Sequence, residues 1–190
     1  MALDSAAVRL LLSARIFGIR QLRGMYLLDT TGMVVNSSRE GDNLGANHAD
    51  QEYFKSLASG GTEGLFIGKP VRGPNGDWTL HIARSFTGTD GKFRGVAVAA
   101  MDLRQLEITY QSLKSDHVRP MSLYLADGTL VASLPHRENL IGEYAPELGN
   151  RSLPAPGDEV RMLDHATGDG GRHTFALGRT GRFPLLVGVP

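Results

Sequence analysis

The chain has 190 residues with 20 basic and 20 acidic side chains, a formal net charge of zero. That balance excludes the basic footprint of a nucleic-acid binder, and the absence of cysteine excludes disulfides and thiolate metal sites. Hydrophobic content of 41% excludes a disordered chain, while 24 glycines announce many tight turns.

No apolar run approaches the ~18–20 residues of a membrane span. Ala6–Ile19 comes nearest, but Arg9 and Arg15 interrupt it and no signal-peptide cleavage pattern follows. The absence of Cys suits a bacterial extracytoplasmic domain. The apolar run Val187–Pro190 reads as the end of a piece cut from something longer.

Asp4 or Ser5 can cap a first helix whose apolar positions Val8, Leu11, Leu12, Ile16, Ile19 and Leu22 recur at helical spacing. Gly24 stops it, and at about 1.5 Å per residue the expected helix is long, nearly 30 Å. Its stripe can face a sheet or the equivalent helix of a partner. Tyr26–Asp29, a turn through Gly32 and Met33–Ser37 predict a hairpin. Asn47–Ser59 predicts a short helix, with Tyr53, Phe54, Leu57 and Ala58 on one face and Gly60-Gly61 ending it.

Gly64–Leu103 is the stretch around which the chain is organised. Leu65–Val71, Trp78–Phe86 and Phe93–Met101 are β-rich runs joined by Gly/Asn/Asp turns, which predicts an antiparallel meander. The last run is almost continuously apolar, as in a central strand covered on both faces. His81, Arg84 and Asp102 sit within these runs, and burying such groups is costly unless they are paired or meet a ligand. Leu103, Leu106, Tyr110 and Leu113 mark a further amphipathic helix ending near Ser115.

The chain then repeats itself. Tyr26-Leu27-Leu28-Asp29, Gly32–Ser37 and Asn43-Leu44-Gly45 are echoed by Tyr124-Leu125-Ala126-Asp127, Gly128–Ser133 and Asn139–Gly142. Two copies of a strand–turn–strand–loop unit argue for tandem related modules with a boundary near Ser115–Pro120. The second copy lacks the long helix. It closes with a loop at Leu153–Gly157 and a hairpin of His173–Leu177 and Phe183–Val189.

The segments LLDTTGMVVNSS, NLGANHADQEYF, IGKPV, GDWTLHIARSF, DGKFRGVAVAAMDL and LYLADGTLVAS, in this order, resemble the double Cache (tandem PAS-like) sensor domains of bacterial membrane receptors. The resemblance implies an α+β fold: a long N-terminal helix over residues 1–24, then two PAS-like antiparallel-sheet modules. The larger, membrane-distal module would cover residues 25–118 and the smaller, membrane-proximal one residues 119–190. It implies a periplasmic domain of an inner-membrane protein, anchored by helices outside this chain. Output would be a histidine kinase, a diguanylate cyclase or a chemoreceptor, the variant here being most similar to those preceding cyclases or kinases. A homodimer through the first helix is implied, and no nucleic acid.

An amino-acid-binding branch of that family carries an Arg two residues before a Trp-Tyr pair, and a strand-end Asp for the amine. Here those positions fall on Gln51, on Tyr53-Phe54 and on Asp102. The missing Arg weakens an α-amino-acid reading. Arg84 can replace it as a carboxylate clamp, because a guanidinium is a planar bidentate fork. The expected ligand is therefore small, with at least one carboxylate or amine.

Each candidate has a plainer reading. Arg84 is a clamp sharing the face of Trp78, Leu80 and Ile82, or a structural ion pair with Asp102. Asp102 binds an amine, or caps the helix that follows. Tyr53, Phe66 and Trp78 line a pocket, or pack the core. His81 alternates away from Arg84 and reads as a satisfied histidine more than as a ligand group. Asp164, His165, Asp169 and His173 could hold a metal, but their glycine-flanked loop has no helical register. No cofactor signature and no catalytic motif occurs, so a binding domain is expected rather than an enzyme. The alternative is a ligand-free structural or dimerisation module of the same receptor.

Overall fold

The computed structural model describes residues 2–40, 43–60, 64–112, 120–166, 172–181 and 183–189. The chain divides into two compact units, residues 1–68 with 72–102 and residues 69–71 with 103–190.

The first unit opens with α1 (Ala6–Ile16), capped by Ser5, whose hydroxyl accepts from the Val8 amide. This corrects the expectation of a helix reaching Gly24. The helix has 11 residues, roughly 16 Å at about 1.5 Å per residue. Phe17 leaves helical geometry and Gly18 follows at φ 79°, a left-handed turn that suits glycine and breaks the ladder. The apolar residues beyond it belong to other structure: Leu22 is the first residue of β1.

Strands β1 (Leu22–Leu28), β2 (Val34–Ser37), β3 (Phe66–Ile67), β5 (Trp78–Thr87) and β6 (Phe93–Asp102) form an antiparallel sheet of order β2-β1-β6-β5-β3, with β4 (Val71–Arg72) off this path. The most apolar run, β6, lies between β1 and β5 as its pattern predicts. Val8 and Leu12 of α1 cover one face of the sheet with Leu27, Met25, Val35, Phe86 and Ala97. Tyr53, Phe54 and Leu57 of α2 (Glu52–Ala58) cover the other with Tyr26, Leu28, Val34, Ala83, Val96 and Val98. Buried Asn36 fastens the chain start, donating to Leu3 O at 2.7 Å and Ser5 O at 3.0 Å.

The second unit begins with α3 (Leu103–Ser112) and builds a sheet from β7 (Met121–Leu125), β8 (Leu130–Leu134), β9 (Arg161–Ala166), β10 (Arg172–Arg179) and β11 (Leu185–Val189). Its order is β8-β7-β11-β10-β9. The terminal hairpin is present as β10 and β11. The edge strand β9 was not foreseen, because its sequence RMLDHA lacks both clean alternation and β-branched residues. The expected boundary at Ser115–Pro120 lies mostly outside the described residues, as does Asp169 of the imagined metal loop. Among the described residues, no cluster of acids and histidines is arranged to hold a metal.

Candidate functional site

The site is fixed by strand parity. Side chains directly opposite in an antiparallel pair share a face. Register pairs His81 with Ala100, Ala83 with Val98, Thr79 with Asp102, Phe66 with Ala83 and Tyr26 with Val98. Phe66, His81, Asp102 and Tyr26 therefore lie on the face covered by α2, and Tyr53 descends onto it from that helix.

Arg84 is opposite Ala97, and Ala97 packs on the α1 face. Arg84 is exposed there, and Trp78 shares its parity. Arg72 stacks over the Trp78 ring with its guanidinium carbon 5.8 Å from the centroid. The expected union of Arg84 and Asp102 in one site does not form, because they project from opposite faces of one sheet. The cation that meets Asp102 is Arg23, with Nε at 3.2 Å and a terminal nitrogen at 3.1 Å from Oδ2. The same guanidinium reaches Asp77 at 3.2 Å. The register of β1 against β6 shifts between Leu22 and Gly24, so Arg23 is the bulged residue.

The centre of the face is a polar cluster in apolar surroundings. Tyr53 Oη lies 2.7 Å from His48 Nδ1 and 3.3 Å from Tyr26 Oη. The Tyr53 and His81 rings are 5.6 Å apart, and Tyr26 meets His48 edge-on at 5.4 Å. Phe66, partly buried, packs against the neighbouring core. Burial pushes the His48 and His81 imidazoles below their ordinary value, and for His81 the nearby His48 adds to the effect. Burial also raises the Tyr53 phenol. At neutral pH the cluster is thus uncharged, a set of hydrogen-bonding groups without formal charge.

The loop carrying His48 is held by backbone. Met33 bridges to Asn47, and the His48 amide donates to Gly32 O at 2.8 Å. Gly32 has φ 86°, and a Cβ there would lie 2.7 Å from the Ala49 backbone, so only glycine admits this approach. Tyr26, His48 and Arg23 were missed as site residues. Tyr26 stood out only as a repeat position and His48 only within NLGANHADQEYF. Arg23 fell inside the expected helix.

With this geometry in place, the chain can be set beside known proteins. No family model matches it, and no curated protein does. Solved structures do. The extracellular domain of the putative histidine kinase rpHK1S-Z16 superposes with a TM-score of 0.78 at 24% identity, over 97% of this chain and 76% of that one. The ligand-binding domain of the Pseudomonas aeruginosa amino acid chemoreceptor PctC, in complex with GABA, gives 0.61 at 18%, over 90% and 74%. That of the Pseudomonas fluorescens chemoreceptor CtaA, in complex with L-alanine, gives 0.65 at 19%, over 97% and 78%. The chain has the fold of extracellular sensor domains. The order of motifs and the architecture agree on this sensor-domain fold. Among the described residues, no helix is long and apolar enough to cross a membrane.

Proposed function

We propose that this chain is the extracytoplasmic small-molecule sensor domain of a bacterial transmembrane receptor, with its ligand held on the α2 face of the first unit. The observation that supports this reading most is the Tyr26–Tyr53–His48–His81 cluster, two buried phenols and two half-buried imidazoles, on the face that also carries Asp102. A mostly apolar surface with a few convergent polar groups is what a small ligand needs. Asp102 would receive an amine, while phenol and imidazole N–H groups and Arg23 would meet a carboxylate. Arg84, on the other face, has no part in this set.

In this reading the first unit is the membrane-distal module and the second the membrane-proximal one. A histidine kinase, diguanylate cyclase or chemoreceptor would follow. The ligand shifts the receptor through its differential affinity for two conformations. A cleft closing between α2 and β5 would supply that difference.

A thermal-shift series with GABA, L-alanine, other small amines and short carboxylates tests the reading. A ligand at about 100 times its Kd adds ~2.7 kcal/mol of stability. The shift should vanish in His81→Ala and persist in Arg84→Ala. Silence across the series would favour a second reading, a dimerisation module. That alternative draws on Leu10, Leu11 and Phe17, which leave 71%, 55% and 89% of their surfaces exposed on and just after α1.

A further inference from the structure

The repeat puts a second polar cluster in the second unit at the matching place. In the first unit Met33 bridges to Asn47 and the His48 amide reaches Gly32 O at 2.8 Å; in the second, Thr129 bridges to Tyr144 and the Ala145 amide reaches Gly128 O at 3.0 Å. Just beyond each crossing, a side chain meets the tyrosine of the first hairpin strand. Tyr53 meets Tyr26, and Glu147 accepts from Tyr124 Oη at 2.8 Å.

The second contact is ionic. The Arg137 guanidinium donates to the same Glu147 oxygen at 2.6 Å, and to Ser122 Oγ at 3.1 Å. Tyr124 is 2% exposed, and the Glu147 side chain 13%. Burial pushes the Tyr124 phenol up to about 12, so it remains a donor. Burial, the largest single influence, would raise Glu147, but the hydrogen bonds it accepts from Arg137, from backbone and from Tyr124, with the Arg137 charge, together outweigh it and hold the carboxyl below its ordinary range. A carboxylate gripped by a guanidinium and a phenol is how a protein holds a carboxylate ligand. Here the chain supplies the carboxylate itself.

We infer that Tyr124 and Arg137, the latter braced by Ser122, form a carboxylate-binding set in the second unit, closed by Glu147 acting as an internal ligand. The unit is therefore self-occupied and takes no external carboxylate while Glu147 is in place. Trimming that side chain turns it into a receptor for a small monocarboxylate. The flanking Ala145 and Leu148 are both fully buried, so the backbone stays anchored when Glu147 is shortened. The inference is independent of what the first unit binds.

The test is Glu147→Ala in the full chain, melted in sodium acetate and in sodium chloride at equal ionic strength. Acetate should raise the melting temperature of this variant saturably and beyond any rise in wild type. If the variant is unfolded in chloride, refolding by acetate is the same result. Glu147→Gln, which keeps the volume filled, should fold and show no such response. Adding Arg137→Met to Glu147→Ala should abolish it. Equal action of acetate and chloride on Glu147→Ala, or an acetate effect that survives loss of Arg137, overturns the inference.

Discussion

His48 Nδ1 and Tyr53 Oη, 2.7 Å apart, tie the loop after β2 to the helix that roofs the first sheet. Burial disfavours the imidazolium, so one ring nitrogen carries a proton and the other does not, and the His48 tautomer sets which way the proton points in the His48–Tyr53–Tyr26 chain. Tyr53→Phe keeps the ring and strands the imidazole nitrogen. We expect a loss of about 1 kcal/mol in denaturant titration, the cost of leaving a half-buried polar group without its partner. A loss within error would mean that water takes the phenol's place.

His48 and His81 of the first unit and His136 of the second respond to pH in opposite senses. His48 and His81 are lowered from 6.5 by burial, so the unfolded chain binds protons that the folded chain resists. Their effect on stability is unfavourable below 6.5 and absent well above it. His136 is raised, first by its hydrogen bond to Glu107, and a second bond to Glu138 adds to this. Its favourable contribution is complete below 6.5 and is lost as pH rises through its elevated folded value. Denaturation midpoints between about pH 5 and 8 should therefore fall less on acidification in His81→Asn than in wild type. In His136→Asn they should fall more. Parallel curves for all three proteins would refute the assignment.

What the sequence made legible followed local periodicity. Alternation in Trp78–Phe86 and the apolar run Phe93–Met101 placed β5 and β6, and parity already separated His81 from Arg84. The echo of Tyr26 in Tyr124 pointed to two hairpins whose turns are both held by an aspartate, Asp29 to the Thr31 amide and Asp127 to the Thr129 amide. What stayed hidden depended on tertiary pairing. Arg23 meets Asp102 across a bulge that no spacing rule announces. His48 reaches Tyr53 only because Gly32 lets its loop close down. The first helix was overcalled because Ile19 and Leu22 continue a helical stripe, whereas the backbone breaks at Gly18. Periodicity cannot see a φ angle.

Among the described glycines, Gly95 has the tightest surroundings for an added Cβ. Its φ is 149°, and a Cβ would fall 2.0 Å from Leu28 O, in the strand against which β6 pairs. Gly95→Ala combines backbone strain with overpacking, each worth roughly 1–3 kcal/mol. The variant should lose about 2–6 kcal/mol or fail to fold. Circular dichroism and a urea titration decide this, and a near-native midpoint would show that the strands part without penalty. Gly91→Ala, also at positive φ but with open space around its Cβ, is the control for strain alone.

Asp102 offers the sharpest division between holding the fold and holding a ligand. Its side chain is 20% exposed and pairs with Arg23 at 35%, which also pairs with Asp77 at 44%. Solvent screens such a triad, so Asp102→Asn should cost only about 1 kcal/mol of stability. Loss of its charge should weaken an amine ligand such as GABA by tenfold or more, ~1.4 kcal/mol, because the ammonium loses its counter-charge. Arg23→Ala should do the reverse for amines: it removes a competing cation from the same carboxylate, so affinity rises while carboxylate-only ligands bind less well. Calorimetric titration of the three proteins with one amine and one short carboxylate separates these effects. If both variants lower the melting temperature alike and leave every affinity unchanged, Asp102 and Arg23 are a strut at the bulge of β1, and the ligand, if bound, rests on the histidine–tyrosine cluster alone.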